Sequence, residues 1–178
     1  MLDEKQALKI LKEFNTPENV IEHCRTVHDV SVGLVDILRE RKPHLRINKK
    51  LVSIGSLLHD IGRSQSHGIF HGVEGAKIIR SLNTLGGPEL EKIARICERH
   101  IGAGVDKKTA KELGLPPKDY IPQTIEEKII AYSDNMVDGS QVKSPDWCVS
   151  KFEEKFGKNS EVTKRIIELN KIFGDLMK

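Results

Sequence analysis

The stretch Leu57-Leu58-His59-Asp60-Ile61-Gly62-Arg63 sets a histidine and an aspartate side by side at the end of an apolar run. A solvated helix has no use for that pair. A nitrogen and an oxygen donor on a rigid hydrophobic support suit a divalent metal. Gly62 is read as the residue that lets the chain leave the helix through a left-handed conformation. Four further residues gain meaning from their distance to the pair: His23, His71, His100 and Asp134. A lone histidine on an apolar face is ordinarily a hydrogen-bonded core residue, and a lone aspartate a cap or a lysine's partner. Six such residues are harder to explain separately, because each buried imidazole or carboxylate needs a partner and a shared cation would satisfy all of them. Nitrogen and oxygen donors without thiolate leave Fe, Mn, Mg, Co, Ni and Zn open as one or two bound ions.

The elements that must position these residues are helical. Only 4% of the 178 residues are aromatic, and the abundance of Glu, Lys, Leu and Ile favours helices over strands, so an all-α fold is expected. The length fits one domain over residues 1–178, with its core at about 17–140 and a helical extension at 141–178. Residues 3–14 place Ala7, Leu8, Leu11 and Phe14 on one face, and Thr16-Pro17 reads as a cap followed by a first-turn proline. The stripe Val20, Cys24, Val27, Val30, Leu34 and Leu38 then predicts a long helix to about Arg41 with His23 at its edge. His28 lies five residues on, turned roughly 140° from His23, and is assigned an outward or supporting place.

Asn48 can cap a central buried helix over 49–61, in which Gly55 permits a close neighbour. A polar loop leads to a helix from His71, which Gly86-Gly87-Pro88 ends. On the next helix Ile93, Ile96, Cys97 and His100 share a face, and Gly102-Ala103-Gly104 then bares the backbone beside the ring. A short basic helix is expected over 106–113. Thr124 caps a helix to about Val137 that carries Asp134 inside its apolar stripe. The pattern lapses around 143–150, and a last amphipathic helix starts at Glu161.

Charge and cysteines exclude several classes. A net charge of +3 with both signs interspersed does not argue for nucleic acid, and the cluster Arg39, Arg41, Lys42, Arg46, Lys49 and Lys50 reads as a solvated inter-helix loop. No apolar run approaches the roughly 20 residues of a membrane span and no signal peptide is evident, so a cytosolic protein without membrane attachment is expected. Cys24, Cys97 and Cys148 form no CxxC pair and read as small buried hydrophobes.

Taken in order, His23 in Glu-His-Cys-Arg-Thr-Val, the literal His59-Asp60-Ile61-Gly62, His71 in His-Gly-Val-Glu-Gly-Ala, His100 in Glu-Arg-His-Ile-Gly and Asp134 in Ala-Tyr-Ser-Asp make a pattern. It resembles that of the HD-domain metal-dependent phosphohydrolases over roughly residues 17–140. Within them the chain is most similar to the small hydrolases like the bacterial diadenosine tetraphosphate hydrolase. The fourth histidine departs from these, reading His100-Ile101-Gly102-Ala103-Gly104 without two threonines, and nothing like the GYP motif of the cyclic-di-nucleotide phosphodiesterases follows Gly62.

The resemblance implies one metal on His23, His59, Asp60 and Asp134, with Asp60 bridging to a second on His71 and His100; with one metal, the last two would face the phosphate. Asp60, His71 and His100 take the catalytic roles. The expected substrate is a small phosphorylated molecule, a nucleotide or dinucleoside polyphosphate, hydrolysed by metal-activated water. Arg63 is the expected phosphate clamp, its loss sparing the metal, and Lys77 a second substrate contact; Lys107, Lys108, His67 and Glu74 are weaker candidates. A homodimer is left open. Two other classes remain: a di-iron oxygenase, separated by iron content with oxygen consumption, and a non-enzymatic nucleotide sensor, against which stands the full ligand set.

Overall fold

A computed structural model describes residues 2–82 and 87–176. Among them the chain forms nine α-helices: α1 Glu4–Glu13, α2 Glu18–Arg41, α3 Lys49–Leu58, α4 His71–Ser81, α5 Gly87–Arg99, α6 Lys107–Glu112, α7 Ile125–Asn135, α8 Pro145–Phe156 and α9 Glu161–Phe173. The fold is all-α, with one two-residue-stranded hairpin, β1 Val137–Asp138 paired antiparallel to β2 Gln141–Val142.

Local chemistry sets the helix starts. Asp3 and Gln6 cap α1 reciprocally, Thr124 and Glu127 do the same for α7, and Asn48 accepts the Leu51 N–H at the head of α3. Thr16 does not cap α2: Pro17 occupies the cap position without a side-chain bond, and the Thr16 hydroxyl is buried. The apparent lapse around residue 145 is a helix start, since Ser144 accepts the Trp147 N–H and Pro145 fills the first turn of α8.

Helix α3 is the central element. Ile54, Leu57 and Leu58 pack into one apolar cluster with Leu11 of α1, Ile79 of α4 and Ile93 of α5. Val52 joins a second cluster with Leu34 of α2, Ile130 of α7, Cys148 of α8 and Phe173 of α9. Gly55 makes this possible, because a Cβ there would stand 2.6 Å from Ile96 of α5 and 3.0 Å from Ile130 of α7. The expected close approach is therefore a double one.

Two expectations about turns change. Helix α3 ends at Leu58 rather than Ile61, and a 3-10 turn, Ile61–Ser64, follows. Gly62 is not left-handed: the positive-φ glycines are Gly102, Gly104, Gly114, Gly139 and Gly157. Its place is fixed by crowding, since a Cβ would meet backbone atoms of His71 and Gly75 inside contact distance. The hinge glycine is in fact a packing glycine, which lets the turn after Asp60 lie flat on α4. Gly86 falls outside the described residues, and Gly87 already belongs to α5. No helix among the described residues is long and apolar enough to cross a membrane.

Candidate metal centre

His59 and Asp60 occupy the break between α3 and the 3-10 turn, so neither is committed to a helix face. Around them the structure gathers His23 from α2, His71 from the first residue of α4, His100 from the residue after α5, and Asp134 from the last turn of α7. Their ligand atoms form three overlapping groups within 4.8 Å: His23, His59 and Asp60; His59, His100 and Asp134; and Asp60, His71 and His100. All six expected ligands thus converge.

The backbone fixes how the imidazoles present themselves. A carbonyl oxygen only accepts, so a ring nitrogen bonded to one must carry the proton. His59 Nδ1 donates to the Ser56 carbonyl (2.7 Å), His71 Nδ1 to Gly68 (2.6 Å) and His100 Nδ1 to Cys97 (2.8 Å), each three residues back along the chain. His23 Nδ1 donates to Gly139 at the tip of the hairpin (2.9 Å). In the neutral imidazole this leaves the lone pair on Nε2, and all four Nε2 atoms turn inward, the tautomer a metal requires.

Inside the ring, imidazole nitrogens and carboxylate oxygens stand in direct contact. His71 Nε2 and His100 Nε2 lie 3.0 Å apart, and Asp60 Oδ1 lies 3.1 Å and 3.3 Å from them. Asp134 Oδ1 is 2.9 Å from His23 Nε2 and 3.5 Å from His59 Nε2. Among the described residues, buried His59 Nε2 and Asp60 Oδ1 have no hydrogen-bond partner. Two orphaned buried acceptors inside a cage of lone pairs fit a cation of oxygen and nitrogen preference.

The charges inside the ring call for a cation among them: burial would push the His59 imidazole down, but Cys24, Asp60 and Asp134 outweigh it and hold the ring well above the usual imidazole range. Burial alone would raise the Asp60 carboxyl, but His59, His100 and His71 outweigh it and hold the group well below the usual carboxylate range. Asp134 is held below it in the same way, by His23 and His59 against burial. Burial pushes the His100 imidazole down, which favours its neutral, ligating form.

The remaining site expectations divide. Arg63 reaches the centre, donating from Nε to Asp60 Oδ2 and from Nη1 to the His67 carbonyl (3.4 Å). It therefore holds Asp60, a contact that the reading as a phosphate clamp did not include. Lys77 does not belong to the cluster: it is exposed on α4, pairs with Glu74 (2.8 Å), and six residues of helix turn it away from His71. The same pairing occupies Glu74; His67 contributes its carbonyl, and Lys107 and Lys108 are exposed on α6. His28 is not outward. It bonds Asp29 (3.0 Å), Glu4 (3.3 Å) and Ser53 (3.2 Å), tying α2 to α1 and α3. All three cysteines are free and buried, as expected.

Sequence reasoning missed the carbonyls that orient the rings, and above all Gly139. Its signal was present, because Gly139-Ser140 between Val137-Asp138 and Gln141-Val142 is a two-residue hairpin turn. Asn135 was also missed; its side-chain amide donates to the Gly102 carbonyl (2.8 Å) and ties the loop after His100 to the end of α7.

Residues 20–137 match the family model described as HD domain. An uncharacterized protein of Methanocaldococcus jannaschii is 47% identical over 98% of either chain. A tRNA (cytidine(56)-2'-O)-methyltransferase of Picrophilus torridus is 40% identical over 86% of this chain and 41% of its own. Its namesake in Thermoplasma volcanium is 35% identical over 98% of this chain and 48% of its own. The chain thus spans less than half the length of either methyltransferase. No solved structure matches.

Proposed function

The chain belongs to the HD-domain family, and we propose that it is a metal-dependent hydrolase of a phosphoester or phosphoanhydride bond, acting on a small phosphorylated molecule, a nucleotide or dinucleoside polyphosphate. The observation that supports this most is the set of four inward Nε2 lone pairs, each enforced by a backbone carbonyl, around Asp60 and Asp134. His23, His59, Asp60 and Asp134 would hold one ion, and Asp60, His71 and His100 a second. A divalent ion there would supply hydroxide near neutral pH and neutralise phosphoryl charge.

The chain's own residues do the rest. Asp60 stays ionised and is kept in one orientation by Arg63. Among the described residues the Arg63 Nη2 has no hydrogen-bond partner, and the side chain is one-third exposed, so it can take a phosphoryl oxygen without releasing Asp60. His71 and His100, with their Nδ1 protons committed to carbonyls, would have no proton to give once Nε2 ligates an ion. The leaving oxygen must draw its proton from solvent or from the substrate's surroundings.

The methyltransferase relatives do not extend their named activity to this chain, because it matches less than half of each; we assign methyl transfer to the part not shared. The test is phosphate release over nucleotides, dinucleoside polyphosphates and cyclic nucleotides with Mn, Co, Ni or Mg. Metal-dependent release that Asp60→Ala abolishes is expected. A metal-loaded protein inert on the whole panel would instead favour a nucleotide sensor.

A further inference from the structure

An apolar pocket of about 340 Å³ is walled by Ile69, Ile101, Leu113, Phe152, Phe156 and Val162. Two of its walls are joined by the chain to residues of the metal centre. Ile69 stands two residues before His71, and Ile101 follows His100 and packs against Gly72, where a Cβ would be 3.2 Å from its Cδ1. The far wall comes from α8, outside the segment that matches the family model. Helix α8 lies against the turn after His100, where a Cβ on Gly102 would be in ordinary contact with the Phe152 ring at 3.4 Å.

The lining states what it would hold. Phe152 and Phe156 are stacked, with ring centroids 5.8 Å apart and planes 23° from parallel, and Phe156 and Leu113 are each 44% exposed. Lys151 and Lys155 are its charged members, and no carboxylate lines it. Lys151 also reaches Asp138 (3.3 Å), the neighbour of Gly139, whose carbonyl orients His23. An ammonium therefore stands between the pocket and the hairpin side of the centre. Thr109 adds a hydroxyl. An apolar, aromatic body with a cationic edge fits a flat ring that carries an anion.

We propose that this pocket receives the base of a nucleotide whose phosphate lies at the metal centre, so that the C-terminal helices of this chain set its base preference. The inference rests on the hydrolase reading for the placement of the phosphate, and its test separates the two. Binding of AMP, GMP, CMP, UMP and base-free ribose 5-phosphate to the full chain is measured by calorimetry with Mn present, for wild type and Phe156→Ala. Phe156 is exposed enough for the variant to fold, which its melting temperature checks.

Wild type should bind at least one of the four nucleotides roughly tenfold or more tightly than ribose 5-phosphate. Phe156→Ala should erase most of that margin while leaving ribose 5-phosphate binding unchanged. Equal binding of all five by wild type, or a margin that survives the substitution, overturns the pocket. Sedimentation that shows a dimer dissolved by Phe156→Ala, with the margin intact, assigns the face to a second copy and also overturns it. A base margin in a protein that releases no phosphate from any substrate leaves the pocket standing and removes the hydrolase reading. Release without base preference does the reverse.

Discussion

His71 and His100 meet across 3.0 Å through their Nε2 nitrogens, and Asp60 Oδ1 lies within 3.3 Å of each. Three such atoms in contact need a positive charge among them, a proton or a metal ion. At this scale Arg63 is the informative neighbour, because it acts on the cluster through Asp60 and on solvent through its free edge. Arg63→Ala should lower divalent-metal affinity by about tenfold, as removal of a ligand's hydrogen-bond partner does, and weaken substrate binding as well. Competitive titration against a metallochromic dye checks the first part; an unchanged metal affinity would reduce Arg63 to a phosphate contact alone.

The elements meet where side chains are missing. Gly62 lies on the backbone of His71 and Gly75, so Gly62→Ala has no flexible atom to push aside. We expect a loss of about 3 kcal/mol or more in stability, read by thermal unfolding, and a lower metal content, because His71 would be displaced with its helix. Much of this level was legible in the sequence. The helix carrying His23, the start of α4 at His71 and the inward faces of His100 and Asp134 follow from three- and four-residue apolar spacing, which marks the buried side without coordinates. What stayed hidden depends on contacts distant in sequence. Gly62 was misread because the same residue serves a left-handed turn or a close approach, and only α4 decides between them. For His28, rotation about α2 left an outward and a supporting place open, and only Ser53 and Glu4, from other helices, exclude the outward one. Helix α8 and the hairpin were overlooked although Ser144-Pro145 and Gly139-Ser140 announced them, since a short capped start was weighed less than a long apolar stripe.

Among the described residues the molecule is held by two large apolar clusters that share α3, by a smaller one around Ala110, Leu115 and Tyr120, and by ion pairs that bind the helices from outside. Phe173 of α9 is fully buried against Tyr132 of α7, the helix that carries Asp134, with ring centroids 5.2 Å apart. Phe173→Ala should cost about 3–5 kcal/mol, seen as an earlier urea midpoint. Arg80 of α4 grips Glu91 (2.9 Å) and Glu98 (2.8 Å) of α5. The Arg80 guanidinium pulls the Glu91 carboxyl down to about 2 from 4.5. A carboxyl depressed on folding adds stability above its unfolded pKa and loses it as protons bind. That stabilisation should therefore be complete above about pH 4.5 and fade toward pH 2. Both side chains are about two-fifths exposed, so the effect is modest, and Arg80→Ala should flatten stability against pH across that window. The most direct test of the central claim is metal analysis of the full chain purified without chelator or added metal, beside Asp60→Ala. The account predicts one or two divalent ions per chain, lost in the variant. Wild-type protein that carries no metal and takes up none of Fe, Mn, Co, Ni, Zn or Mg, or a variant with undiminished content, would contradict it.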